Sequence, residues 1–203
     1  SVPCISGCND LMLFPQAYDV SNGYLVTHWT QYSHVRRAVA YSVQKATAGV
    51  REQVPSASPL GLGDMSQYDA QTPGQIEDVL RHPTGSHTHG NHIEVAYYQI
   101  ANNNLGREVC ENDGSFCTAM PDLLDAESTA LFVNEILDDP TVSKIVMDTM
   151  IRDAVISAGV GLGLENGPEM SNVIAAGPEW PRRYVFMDIE YMFEESAPIE
   201  GPP

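Results

Sequence analysis

The most informative segment of this chain is Gly85-Ser86-His87-Thr88-His89-Gly90-Asn91-His92-Ile93-Glu94-Val95-Ala96-Tyr97-Tyr98. Three of the six histidines and one carboxylate fall in the eight positions from His87 to Glu94. Imidazole and carboxylate groups are ligands that zinc prefers, and a zinc site needs three or four of them around one point. The segment therefore predicts a metal site. The alternative is a polar loop with solvated histidines that leads into an edge strand.

The second half of the segment has the alternation of a β-strand. Over residues 91–99, one side of an extended chain would carry Ile93, Val95 and Tyr97, and the other His92, Glu94, Ala96 and Tyr98. His92 and Glu94 would then share a strand face, and His87 would reach in from the turn before it. His89 is an additional candidate ligand, whereas His28 and His34 are expected to lie outside the cluster.

The size and charge of the chain limit its function. Its 203 residues predict a single domain, residues 1–203. Ten basic residues against 27 acidic ones give a formal charge of −17, so the chain lacks the basic face that binds nucleic acid. The same charge disfavours anionic membranes, and no apolar run is long enough to predict a membrane span. An acidic surface favours solubility, a cationic partner or a calcium-rich medium.

The four cysteines form two local pairs, Cys4 with Cys8 and Cys110 with Cys117. Of the three connectivities, we expect these two local disulfides, with reduced thiols as the alternative. Disulfides imply an oxidising compartment, so the protein is expected to be secreted, periplasmic or at the cell surface. The sequence begins without a charged and apolar leader, which predicts a mature, processed protein. Asn-X-Ser/Thr sequons are absent, which favours a bacterial source.

Hydrophobic periodicity and turn residues divide the rest of the chain. A helix is predicted at 33–53, with Ser33 as its N-cap and Pro55 after its end. Gly61 and Gly63, in a short strand at 60–66, predict that another backbone passes close by. The other expected elements are an irregular arm (1–31), a loop (101–121), a helix capped by Asp122 or Asp125 and stopping at Pro140, a strand (142–147), a helix (149–158) closed by Gly159, a loop with Gly167-Pro168, a strand (184–193) and a tail (194–203).

Several short motifs follow one another in a defined order. They are Leu62-Gly63-Asp64-Met65-Ser66, then Ser86-His87-X-X-Gly90-X-X-X-Glu94, then Val142-Ser143-Lys144-Ile145-Val146, then Met150-Ile151-Arg152 and Ala158-Gly159. Their order and spacing resemble the penicillin-insensitive murein endopeptidases, zinc peptidases related to D-alanyl-D-alanine carboxypeptidases. The resemblance covers roughly a peptidase-like core, residues 33–192. It implies an α+β fold with a small, mostly antiparallel central sheet flanked by helices.

The resemblance also implies a set of zinc ligands. That family binds zinc through the His and the last Asp of a Ser-His-X-X-Gly-X-Asp-X-Asp segment, and takes a third ligand from a late His-X-His pair. On this chain His87 matches the first ligand and Glu94 the second, with Glu in place of Asp. His92 stands where the family has its other Asp. The resemblance therefore implies zinc as the cofactor, held by His87 and Glu94.

The late His-X-His pair is missing from this sequence. In the best register Tyr184 and Phe186 replace it, and Asp188 lies two residues further along the same face. His92 or Asp188 would have to complete the zinc site, since a catalytic zinc needs three protein ligands and an open position. Neither restores the second histidine of the pair.

The missing pair favours a secreted, murein endopeptidase-like pseudoenzyme. We expect it to bind peptidoglycan peptide or a surface protein, or to assemble with itself, at the bacterial cell surface. The first alternative is an active zinc metallopeptidase that cleaves peptidoglycan cross-link peptides. The second is an acidic, calcium-dependent structural or adhesive protein, although the sequence has no Asp-X-Asp-X-Asp-Gly loop.

Overall fold

A six-stranded sheet forms the centre of the fold. The structure is a computed structural model that describes residues 10–17, 22–28, 30–76, 79–80, 82–83, 85–101, 103–179 and 181–193. Ten strands lie in these ranges: β1 (Leu11–Leu13), β2 (Tyr24–Val26), β3 (His34–Arg36), β4 (Leu60–Leu62), β5 (Gln75–Ile76), β6 (Val79–Leu80), β7 (His92–Ala96), β8 (Val142–Val146), β9 (Ile174–Ala175) and β10 (Phe186–Tyr191). The described helices are α1 (Arg37–Gln53), α2 (Ala126–Leu137), α3 (Thr149–Gly161) and α4 (Gly167–Val173), with a short 3₁₀ turn at Thr30–Tyr32.

The strand order of the main sheet is β2-β4-β7-β10-β8-β9. Its three central pairings, β4 with β7, β7 with β10 and β10 with β8, are antiparallel. Its two outer pairings, β2 with β4 and β8 with β9, are parallel. Two further antiparallel pairs, β1 with β3 and β5 with β6, form separate two-stranded sheets. The predicted α+β class is confirmed, and the sheet is mixed.

The two faces of the sheet differ in composition. Side chains alternate along β7 and β10, and the register pairs Val95 with Met187 and Ile93 with Ile189, all four of which are fully buried. Next along this face, the Tyr191 hydroxyl lies 3.3 Å from Ser42 on α1. This face therefore packs under the helices. The opposite face carries the polar residues of β7 and β10.

Helix α1 keeps the predicted apolar stripe but begins later than predicted. Val39, Val43, Ala46 and Val50 are buried, and the helix ends at Gln53 before Pro55, as expected. The predicted N-cap at Ser33 is wrong, because residues 34–36 pair with β1 as strand β3 instead. The helix then starts at Arg37 without a side-chain cap.

Other elements also differ from the predictions. Helix α3 continues through Gly159 to Gly161. A Cβ atom on Gly159 would lie 2.7 Å from the Met170 sulfur, so this glycine allows α4 to pack closely rather than ending the helix. Gly167-Pro168 begins α4 instead of forming a loop, since proline lacks an N–H and is tolerated in the first turn of a helix. The predicted arm at 1–31 also contains β1 and β2.

The predicted disulfide between Cys110 and Cys117 is confirmed. Cys4, Cys8 and the predicted tail at 194–203 lie outside the described residues, so the second disulfide stays a prediction. Asp125, rather than Asp122, caps α2 by accepting a hydrogen bond from the Ser128 N–H. Among the described helices, each is too short or too polar to cross a membrane.

Candidate metal centre

A strained turn places the first candidate ligand. His87 has φ of 51°, a left-handed conformation that is uncommon for a residue with a side chain. The turn is fixed from both sides: Thr72 donates to the Ser86 carbonyl at 2.6 Å, and Arg36 N–H donates to the Gly90 carbonyl at 3.1 Å. Gly90 has φ of 69° and approaches so closely that a Cβ atom would lie 2.6 Å from the Arg36 nitrogen. The result is that the His87 side chain is completely buried.

The pairing of β7 with β10 places the carboxylates. Glu94 lies directly opposite Asp188, and His92 lies opposite Glu190. The Glu94 backbone also bonds to the segment after β4, since its N–H donates to the Asp64 carbonyl and its carbonyl accepts from Gly63 N–H. Glu94 and Asp188 therefore lie side by side on neighbouring strands, and the Asp64 backbone lies next to Glu94.

Gly61 and Gly63 serve the close approach predicted from the sequence. A Cβ atom on Gly61 would lie 3.0 Å from the Asn104 carbonyl oxygen, and one on Gly63 would lie 2.9 Å from Glu94 Cβ. Any larger residue at Gly63 would push against the Glu94 side chain. The glycine thus helps to set the position of a candidate ligand.

His82 enters the site with its tautomer fixed. Its Nε2 atom lies 2.9 Å from Asp64 Oδ2, and both side chains are buried. An ionised carboxylate only accepts hydrogen bonds, so Nε2 is the donor. The other ring nitrogen, Nδ1, points toward Glu94, whose Oε1 atom is 4.0 Å away. A histidine oriented by a carboxylate in this way is the usual arrangement of a metal ligand.

His87 lies between His82 and His92 in a stack of imidazole rings. Its ring centroid is 3.8 Å from that of His82 and 5.4 Å from that of His92. Both His87 ring nitrogens are buried without a hydrogen-bond partner. Nε2 is 3.5 Å from Asp188 Oδ2, which is an ion-pair contact rather than a well-formed hydrogen bond.

The charges around His87 shift its titration and that of Asp188. Burial opposes protonation of His87, but the carboxylates of Asp188 and Glu94 outweigh it and raise the His87 pKa above its ordinary value. Burial also opposes ionisation of Asp188, yet His87 and Arg183 hold the Asp188 pKa well below its usual range. The two shifts share one cause, the attraction between the His87 imidazole and the Asp188 carboxylate.

Arg183 bridges the two opposite carboxylates. Its Nη1 atom is 2.9 Å from Glu94 Oε1 and its Nη2 atom is 3.1 Å from Asp188 Oδ2. The guanidinium is largely buried in this position. It provides the cation that two carboxylates on neighbouring strands require.

Among the described residues, His82, His87 and Glu94 form a group whose ligand atoms all lie within 4.8 Å of one another. This set fits a divalent ion for two reasons. Two imidazoles and a carboxylate are the donor types of zinc sites, and the unpartnered nitrogens of His87 are an unusual cost in a buried position unless a ligand satisfies them. These three residues could hold a metal ion.

The sequence-predicted site residues fall in different places. His87 and Glu94 are in the group, and Asp188 touches His87. His92 flanks the group, with its Nε2 atom 3.8 Å from Glu190 Oε1. His89 is exposed and holds the turn through its backbone, since its carbonyl accepts a bond from Arg36.

Sequence reasoning missed four residues of this site: His82, Asp64, Arg183 and His28. His82 lies only five positions before His87, so extending the histidine-rich segment by a few residues would have included it. His28 was expected to lie outside the cluster, but its Nε2 atom is 3.9 Å from Asp64 Oδ1, so it borders the site. Arg183 gave no local signal, because its contact with Glu94 depends on the pairing of distant strands.

Two comparisons with known proteins found no match. A scan against protein-family models finds none that matches the chain, and a search of curated proteins finds no match.

Proposed function

We propose that this protein is a metal-binding, largely non-catalytic relative of the murein endopeptidases that acts by binding or assembly at a bacterial cell surface. One observation carries the metal-binding part of the proposal. His87 is fully buried with two unpartnered ring nitrogens, beside Glu94, Asp188 and an oriented His82. A cation would satisfy these groups together.

Zinc is the ion that the donor set favours. Calcium takes six to eight oxygen ligands, whereas this group offers two imidazoles for each carboxylate. When bound, zinc would supply Lewis-acid chemistry. His82 through Nδ1, His87 and Glu94 would hold it, with Asp188 beside them.

The chain's own residues argue against efficient hydrolysis. A general base works best with a pKa near the operating pH. The Asp188 pKa is depressed far below that, because His87 and Arg183 stabilise its ionised form against the cost of burial. Glu94 is bonded to Arg183, and Phe186 places an apolar ring near Gly63 where the resemblance implies a histidine. The site is therefore better suited to holding an ion than to moving a proton.

An active zinc peptidase is the second candidate, and one observation favours it. His28 lies at the edge of the site beside Asp64, and its side chain is 29% exposed. A partly exposed histidine there could exchange a proton with a substrate. Peptidoglycan peptides remain the substrate class or binding partner that the resemblance implies.

The first test measures metal affinity in purified protein. Zinc competition with a chromophoric chelator should show binding, and anomalous scattering at the zinc edge should locate the ion beside His87. His87→Ala should weaken binding by roughly tenfold or more, since even indirect supporting residues typically cost 10–100-fold. His34→Ala is the matched control, because His34 lies on β3, contacts Tyr68 edge to face and is not part of the group.

Two results would contradict the proposal. Unchanged affinity in His87→Ala would remove His87 from the site, and no binding by the wild-type protein would remove the site itself. Digestion of murein then separates the two candidate functions. Zinc-dependent cleavage that His28→Ala and His87→Ala both abolish would favour the peptidase.

A further inference from the structure

Arg183 already places a positive charge where a metal ion would need one. Its Nη1 atom bonds Glu94 Oε1, which is also the carboxylate oxygen 4.0 Å from His82 Nδ1. Its Nη2 atom bonds Asp188 Oδ2, which is also the oxygen 3.5 Å from His87 Nε2. The guanidinium and the histidines thus converge on the same two carboxylate oxygens.

The backbone of Arg183 is anchored independently of its side chain. Its carbonyl accepts a bond from the Tyr97 hydroxyl at 2.6 Å and another from Asp148 N–H at 3.2 Å. The third guanidinium nitrogen, Nε, has no hydrogen-bond partner. The side chain can therefore release the carboxylates without loss of the bonds that hold this segment in place.

A divalent ion on Glu94 would lie close to the guanidinium. Like charges a few ångströms apart repel strongly in a partly buried site, where water screens them poorly. Glu94 Oε1 cannot serve both cations with full strength. Binding of the ion must therefore weaken the contact with Arg183, and the contact with Arg183 must oppose binding of the ion.

We propose that Arg183 is an internal cation that competes with the metal ion for Glu94 and Asp188 and thereby sets the metal affinity of the site. This inference rests on the proposed metal site. In the metal-free protein Arg183 keeps the two carboxylates paired, and in the metal-bound protein it gives up Glu94. The wild-type site is accordingly weaker than its histidine and carboxylate donors alone would make it.

The test compares zinc affinities of wild-type protein, Arg183→Gln and Arg182→Gln by chelator competition. Arg182→Gln is the matched control, because it removes one positive charge from the exposed neighbouring residue. A coupling of ordinary size predicts that Arg183→Gln tightens zinc binding by about 5- to 150-fold, while Arg182→Gln leaves it unchanged. Cobalt absorption spectra provide a second readout of direct ligation, independent of any enzyme activity.

The outcomes separate this inference from the metal site itself. One outcome is that wild-type protein and Arg183→Gln bind zinc equally well, and that His87→Ala weakens binding in either background. This result would refute competition by Arg183 and would still support the metal site. An equal gain in zinc affinity in Arg182→Gln would show that the effect comes from net charge, and this would also refute the inference. No zinc binding by any of the proteins would overturn both proposals.

A conservative variant covers the case in which Arg183→Gln fails to fold. Arg183→Lys keeps the charge but loses the two-pronged contact with the carboxylates. It should bind zinc with an affinity between those of wild-type protein and Arg183→Gln. Affinity no tighter than wild type in a folded Arg183→Lys protein would then count against the inference.

Discussion

Asp148 connects three parts of the structure through hydrogen bonds, one of them buried, and its replacement by alanine should be costly. Its Oδ1 atom accepts from Met150 N–H at 2.9 Å and caps α3. Its Oδ2 atom accepts from Cys117 N–H at 2.9 Å and so ties the disulfide loop to that helix. Its own N–H donates to the Arg183 carbonyl, but Asp148→Ala keeps this backbone bond.

The cost follows from the two lost acceptors. Loss of a helix cap typically costs about 1 kcal/mol. A buried N–H left without a partner costs about 1–3 kcal/mol, and the bond to Cys117 is buried. Together these predict a loss of about 2–4 kcal/mol in the free energy of unfolding of Asp148→Ala. With an m-value of about 2 kcal/mol/M in urea, the midpoint falls by roughly 1–2 M.

The assay is equilibrium urea unfolding under non-reducing conditions, followed by circular dichroism. Asp125→Ala is the control, because Asp125 caps α2 through Ser128 but its bonds are only partly buried. It should lose about 1 kcal/mol. The argument fails if Asp148→Ala is no less stable than Asp125→Ala, since the bond to Cys117 N–H would then contribute nothing.

Two further predictions concern the disulfide and the core. Replacing Cys110 and Cys117 together by alanine should cost about 2–3 kcal/mol in denaturant unfolding, because the bridge closes a short loop with a sequence separation of 7; an unchanged midpoint would contradict this. Val43→Asp should prevent folding, because it buries an unpaired carboxylate at a cost of several kcal/mol in a chain whose total stability is on the order of 5–15 kcal/mol. Tyr41→Asp, at a position of the same helix that is 70% exposed, should leave circular dichroism and yield unchanged, and equal loss of fold in both variants would refute the burial argument.

The parts of the fold that local pattern determines could be predicted from the sequence. The apolar stripe of α1 and the alternation of β7 each need only a few neighbouring residues. Strand β3 could not be predicted in the same way, because its three residues form a strand through pairing with β1, a separate segment of the chain. Helix α4 was missed because Gly167-Pro168 is typical of loops, although a proline also fits the first turn of a helix.

The candidate site was predictable to the extent that its residues are close in sequence. His87 and Glu94 lie seven positions apart in one segment, and the strand alternation fixed the side to which Glu94 points. His82 was missed because it lies outside the histidine-rich segment, before the turn at 85–90. Arg183 meets Glu94 across 89 positions, and only the register of β7 against β10 brings them together.

The register of β7 against β10 brings two carboxylates together, so the site requires a positive charge whether or not it is catalytic. Glu94 and Asp188 stand directly opposite each other on antiparallel strands, and like charges in that arrangement destabilise a sheet. In the metal-free protein Arg183 supplies the missing positive charge, and the two carboxylates raise the pKa of His87 against the cost of burial. A zinc ion bound to Glu94 would take the place of Arg183 as the cation between the two carboxylates. The two carboxylates are therefore expected to hold one cation or another even in a protein that hydrolyses nothing.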